Sequence, residues 1–439
     1  MRPNKRPLII LLLVTLILSA FLLVACSEGG QKVEVTRVVT QEVEVPGTAA
    51  EVEVTRIVEV PAETAATSEL VIPFFDEWAA SPHNDAEGEP FNHWNEEDPA
   101  EVPTDCAKCH STPGYMDHLG ADGSTVGVVD APAPIGTTIE CQACHNDATL
   151  TKTSVVFPSG IEITNLGDEA RCMECHQGRA STVSVNQRIT DAGLTTNLDT
   201  VSEDMGFTNI HYYAAAATQY GTLAKGGYEY DGMPYDARFD HVPSHNTCIE
   251  CHDMHTLEVK LDQCQACHTD VNSVEDIANI RMNGSLVDYD GDGDMEEGIY
   301  YEIEGVRDLL WQAMTAYTTE VTGTPIGYSS TAYPYFFNDS DADGVLSEEE
   351  ASFNNAFAGW TARLSKAAYN YQVSQKDPGV HAHGGKYIIE LLYDSTQDLN
   401  TAIDTPVDLA AAHRIDHGHF AGSEEAFRHW DAEGGVVPG

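Results

Sequence analysis

Cys248-Ile249-Glu250-Cys251-His252, followed by Cys264-Gln265-Ala266-Cys267-His268, decides how the rest of the chain is read. Both are C-x-x-C-H runs, and three more precede them: Cys106, Cys109 and His110; Cys141, Cys144 and His145; Cys172, Cys175 and His176. Such a run is the attachment signature of a c-type haem. Two cysteines three apart reach the vinyl groups on one porphyrin edge, and the histidine that follows lies under the iron. With 11 cysteines and 18 histidines, a random chain of 439 residues would hold roughly 0.01 such runs, so five exclude coincidence. Zinc sites and thioredoxin-like pairs also use C-x-x-C, but neither requires a histidine after every second cysteine. The runs therefore predict five covalent haem c groups with His110, His145, His176, His252 and His268 as axial ligands.

Only Cys26 stands outside these runs, which leaves no disulfide framework. It closes Leu23-Val24-Ala25-Cys26 after a basic start (Arg2, Lys5, Arg6) and an apolar run from Pro7 to Ala25. Residues 1–26 thus read as a lipoprotein signal peptide with a lipobox, Cys26 being the lipidated residue. An uncleaved membrane anchor is the alternative, since the apolar run is nearly long enough to span. The expected location is the outer face of a membrane, periplasmic or at the cell surface. Without the leader, 19 basic residues stand against 70 acidic ones, which disfavours nucleic acid and anionic lipid. A basic redox partner, bound cations or a mineral surface suit that charge better.

Residues 27–68 are a low-complexity stalk in which Val33-Glu34-Val35-Thr36-Arg37 recurs as Val52-Glu53-Val54-Thr55-Arg56; a short strand pair or a self-associating stalk is the competing reading. Residues 69–270 form the pentahaem domain, with motif starts 35, 31, 76 and 16 residues apart, too irregular for a solenoid. The longest gap predicts a helix near Phe207 to Leu223 that carries His211. Residues 271–439 turn helical: Ile303, Val306, Leu309, Leu310, Met314 and Tyr317 recur at helical spacing, as do Phe353, Phe357, Trp360, Leu364 and Ala368. A third helix is expected over Lys386 to Leu399. The fold class is mainly α with much irregular structure.

Two acidic loops interrupt this helical half. Asp339, Asp341, Asp343, Val345 and Glu350 occupy positions 1, 3, 5, 7 and 12 of an EF-hand-like loop with Gly344 at 6, which predicts Ca²⁺. Asp288, Asp290, Asp292 and Asp294 repeat the first half of that pattern, but Ile299 stands at position 12, so Glu297 is expected to supply the missing carboxylate. The bland alternative there is a solvated acidic turn. One or two calcium ions are expected, in a structural role.

Five proximal histidines leave thirteen others, and sixth ligands are their obvious use. The candidates are His83, His93, His211, His241, His245, His255, His383, His419 and His429; His118 reads as solvated. The segment from His83 to Trp94 matches His419 to Trp430, with His, Glu, Phe, His and Trp in register. The C-terminus therefore reads as the opening half of a haem module without its cysteines, suited to self-association or to ligating a neighbour's haem.

The chain resembles the multihaem c-type cytochrome lipoproteins of respiratory and extracellular electron transfer, over about residues 74 to 439. The segments that carry the resemblance run from Cys106 to Ser111, Gly226 to Tyr230, His241 to Val259, and Trp360 through Leu392-Tyr393-Asp394. It implies a haem-organised multihaem cytochrome c fold, closely packed and mostly bis-histidine haems, and other redox proteins as partners. The leading function is an electron carrier rather than an enzyme. The acidic surroundings are expected to favour oxidised iron and give several overlapping low-potential couples. A reductase of the nitrite, hydroxylamine or sulfur-oxyanion kind would need one open iron, with Arg171, Arg179, Tyr212, Tyr213 or Arg238 lining it. A polymerising filament subunit is the third possibility.

Overall fold

The computed structural model describes residues 71–281, 285 and 287–414, together with the backbone of 428–430 and 436–438. The leader, Cys26, the stalk and His419 lie outside the described residues, as do the side chain of His429 and most of the C-terminal repeat. The described residues from Ile72 onward belong to one compact unit. Among the described residues no helix is long and apolar enough to cross a membrane.

The structure is mainly helical. The helices that matter here are α1 (Thr104–His110), α2 (Thr112–His118), α3 (Ala170–His176), α4 (Thr182–Asp191), α5 (Ala215–Tyr220), α6 (Ile299–Tyr317), α7 (Ala362–Lys376) and α8 (Val380–Asn400). Strands are two or three residues long and pair antiparallel: β1 (Glu101–Val102) with β2 (Ala133–Pro134), β3 (Val155–Val156) with β4 (Glu162–Ile163), β5 (Ile326–Tyr328) with β6 (Phe336–Asn338), and β7 (Arg428–Trp430) with β8 (Val436–Pro438).

The main core belongs to the second half. On α6, Ile303, Val306, Leu310, Ala313, Met314 and Tyr317 are buried at helical spacing, as the sequence periodicity requires. They meet Leu364, Ala367 and Ala368 of α7 and Ile388, Leu391 and Leu392 of α8. Helix α8 starts six residues before the predicted Lys386 and bends at Gly384, where φ is −179° and ψ 52°. A Cβ at Gly384 would stand 2.4 Å from the Thr218 carbonyl oxygen, so glycine lets α8 touch α5.

Two expected helices are shorter than their periodicity suggested. The Phe207 to Leu223 helix shrinks to α5, and His211 lies outside it at φ 79°. Its neighbours spend their backbone groups on tertiary partners, with Ile210 accepting from Arg179 at 2.8 Å and Tyr213 donating to Lys376 at 2.7 Å. Phe357 and Trp360 precede α7 rather than join it. The Phe357 amide donates to Phe336 of β6 at 2.9 Å, and Thr361 then caps α7 through the Leu364 amide at 3.1 Å.

The cysteine-rich half is tied together by two buried carboxylates at the third motif, Glu169 just before it and Glu174 within it. Glu174, 4% exposed, meets Lys108 at 3.2 Å, His118 at 3.0 Å and Lys152 at 2.7 Å. His118 is therefore a structural partner, not a solvated loop residue. Glu169 accepts the Cys248 amide at 3.1 Å and the Tyr220 hydroxyl at 3.1 Å. Removing one member of a buried ionic cluster leaves the others desolvated and uncompensated. Glu174→Gln is expected to cost about 2–4 kcal/mol, read as a lowered chemical-denaturation midpoint of the haem-loaded protein.

Candidate haem-binding site

Each motif is set on a helical turn, which puts cysteines three apart on one face. Helix α1 carries Cys106 and Cys109 and ends on His110; α3 carries Cys172 and Cys175 and ends on His176. Single turns Cys141–Cys144 and Cys248–Cys251 are capped by His145 and His252, while Leu261–Cys264 leads into Cys267 and His268. Thr247 and Glu250 close a reciprocal capping box at the fourth motif. Behind the first, Gly114 lets α2 cross α1, since a Cβ there would lie 2.4 Å from the Ala107 carbonyl oxygen.

The tertiary structure brings every motif histidine close to a second imidazole. Ring centres stand 5.7 Å apart for His110 and His211, 6.4 Å for His145 and His255, and 6.4 Å for His176 and His83. The remaining pairs are His252 with His383 at 6.4 Å and His268 with His241 at 6.0 Å. An iron between two imidazoles sits about 2 Å from each ligating nitrogen, itself roughly 1.1 Å from its ring centre, so such rings stand about 6 Å apart. The donor set and its spacing fit six-coordinate haem iron.

The surroundings aim several of these rings and, for most of those, disfavour the charged form. Nδ1 of His110, His176 and His252 meets the carbonyl oxygens of Pro90 (2.9 Å), Tyr213 (3.0 Å) and Leu257 (3.1 Å), which leaves Nε2 for a metal. Burial, and then His176, pushes His83 down to about 4; burial, and then His110, does the same to His211. Burial also lowers His110, His176, His241 and His252. His383 differs: burial opposes its charged form, but Asp377 overcomes this and raises it. Phe74 stacks on His255 at 4.4 Å, and Trp94 meets His110 edge-on at 5.4 Å.

Of the expected sixth ligands, His83, His211, His241, His255 and His383 face a motif histidine. His93 instead bonds the exposed Glu89 carboxylate at 2.7 Å and packs on Trp94, because the turn after Glu89 points it outward. His245 keeps a buried Nε2 without a hydrogen-bond partner and faces no motif histidine among the described residues. Sequence alone missed Asp377, since nothing in its neighbourhood marks it as the partner of His383.

Contacts among the motifs centre on the third. The sulfurs of Cys109 and Cys175 lie beside each other, as do those of Cys172 and Cys248. Arg171 reaches the Cys144 carbonyl oxygen at 3.5 Å, and Lys108 and Lys152 converge on Glu174.

The acidic loops also draw carboxylates together. Oxygens of Asp339, Asp341 and Glu350 lie within 4.8 Å of one another, and Asp339, 5% exposed, keeps a buried Oδ1 without a hydrogen-bond partner. Asp343 turns to the Val345 amide at 2.8 Å. In the other loop, Glu297 joins Asp290 and Asp292, while Asp288 and Asp290 meet Glu302, a buried residue of α6 outside the expected set. Asp294 accepts the Glu296 amide at 2.9 Å. Burial, then like-charged neighbours, raises Glu297 to about 7; burial is also the main cause of Asp290 standing at about 7. Gly305 could have signalled the Asp290 contact, because any side chain there would displace that carboxylate.

Among curated proteins, the chain is 26% identical over 397 residues to the C-type polyheme cytochrome OmcC of Geobacter sulfurreducens, covering 74% of this chain and 48% of that one. It is 25% identical over 379 residues to the C-type polyheme cytochrome OmcB of the same organism, covering 69% and 46%. The chain thus spans about half the length of the curated relatives it matches. No protein-family model and no solved structure matches it. Polyhaem relatives along most of a chain whose cysteine runs are those of covalent haem attachment support its being a multihaem c-type cytochrome.

Proposed function

We propose that this chain is an electron carrier that holds five haem c groups through its five cysteine pairs. The observation that supports it is the five facing imidazole pairs: His110 with His211, His145 with His255, His176 with His83, His252 with His383, and His268 with His241. Haem c, when bound, supplies an iron that alternates between ferric and ferrous states. The chain's own part is to present two imidazoles per iron on a rigid frame, so that little rearranges when charge arrives. Glu169 holds the third motif against the fourth, Glu174 against the first and Arg171 against the second, which makes it the junction of the row. A reductase needs a motif histidine facing an open pocket, and all five face a second ring.

The carrier would be exported, lipid-anchored through Cys26 on the outer face of a membrane, and held away from it by residues 27–68. Its partners would be other redox proteins or multihaem cytochromes, and the acidic surface disfavours nucleic acid. Self-association through the C-terminal repeat, as in a filament, rests on residues outside those described. Calcium would bind Asp339, Asp341 and Glu350, supported by the buried, unpartnered Asp339 oxygen, and the second loop with Glu297 or Glu302 closing it.

Ferric spectroscopy tests the ligation. All five irons should be low-spin in the wild type; His211→Ala should convert one in five to high-spin, whereas His93→Ala and His245→Ala should convert none. A high-spin fraction in the wild type would contradict the carrier reading. Calorimetric titration tests the calcium loop: Glu350→Gln should weaken Ca²⁺ binding on the order of tenfold or more, and unchanged binding would remove that site.

A further inference from the structure

The five axial pairs are not electrostatically alike. His383 is the one whose ring meets a carboxylate: Oδ1 and Oδ2 of Asp377 lie 2.9 and 2.8 Å from its Nδ1. Asp377 is 3% exposed and takes a second bond from the Gly379 amide at 3.1 Å. No lysine or arginine pairs with it among the described residues. Its neighbour Lys376 turns the other way, to the Ser330 carbonyl oxygen at 3.1 Å and the rings of Tyr212 and Tyr335. Gly379 makes room for the arrangement, since a Cβ there would stand 2.6 Å from His383 Cε1.

A carboxylate accepting the Nδ1 proton pushes electron density into the imidazole and makes Nε2 the stronger donor. A stronger donor stabilises ferric over ferrous iron, and a negative charge shielded from water acts with little screening. Carbonyl oxygens, which receive the Nδ1 protons of His110, His176 and His252, do this less. We propose that Asp377 makes the site of His252 and His383 the lowest-potential one of the five, the last to be reduced. This rests on the axial pairing proposed above. The fourth motif touches the third through Cys172 and Cys248, and its Cys251 lies close to Cys264 of the fifth. Asp377 thereby sets an energetic step between the fifth site and the junction.

The test is an optical redox titration of the full haem-loaded chain. Asp377→Asn should shift the lowest couple upward, with a smaller rise in one neighbour and none in the other three, while every iron stays low-spin. Asp377→Glu should restore the low couple. In the wild type, ferric EPR should resolve one low-spin signal with the compressed g anisotropy of a strongly donating imidazole, which Asp377→Asn abolishes. Five equivalent signals, or an Asn variant whose lowest couple does not rise, would overturn the proposal. His383→Ala separates the two ideas. A new high-spin haem there with no Asp377 effect retires only the tuning role, whereas an unchanged low-spin spectrum retires the pairing itself.

Discussion

An imidazole facing an imidazole is the interaction on which this structure depends. Each motif supplies one ring locally, and the other comes from elsewhere in the chain; His110 and His211 are 101 residues apart. His83 comes from ahead of all five motifs and His383 from the last long helix. A chain that brings five such pairs to within 6.4 Å has its topology prescribed by them. This explains how so much irregular backbone can be held in one unit. With the proposed haem iron between them, the rings would fasten the loops, and regular ladders would be needed only where apolar residues must pack on their own.

The second constraint is charge. In a chain with a formal charge of −48, carboxylates are plentiful, and most gain nothing by being buried. Glu169 and Glu174 are exceptions that concentrate scarce cations at the third motif. Lys108, His118 and Lys152 gather on one and Arg238 approaches the other at 3.9 Å. With Arg171 on the Cys144 carbonyl oxygen and the Cys248 amide on Glu169, these contacts link the third motif to the first, second and fourth. Asp377 is another buried carboxylate, and its partner is the His383 ring rather than a lysine or arginine.

Local chemistry was legible without coordinates. The C-x-x-C-H runs, the periodicity of Ile303, Val306, Leu310 and Met314, and the loop from Asp339 to Glu350 each express a short-range rule that nearby residues satisfy among themselves. His211 shows where that ends. Its apolar neighbours have helical spacing, yet Ile210 and Tyr213 give their backbone hydrogen bonds to Arg179 and Lys376, and the helix starts only at Ala215. His93 shows the opposite failure, a histidine in a matching repeat whose ring is held by Glu89 on its own turn.

The sequence by itself determined the cofactor chemistry, because covalent attachment needs only residues three and four apart, and it determined the long helices, because burial every third or fourth residue is written along the chain. The tertiary structure alone decided which histidine stands opposite which, that Glu302 reaches the loop of Asp288 and Asp290, and that Asp377 is bonded to His383. The reason is range. A helical turn specifies its neighbours over a few residues, whereas two rings brought together from opposite ends of a chain are specified by the packing of everything between them.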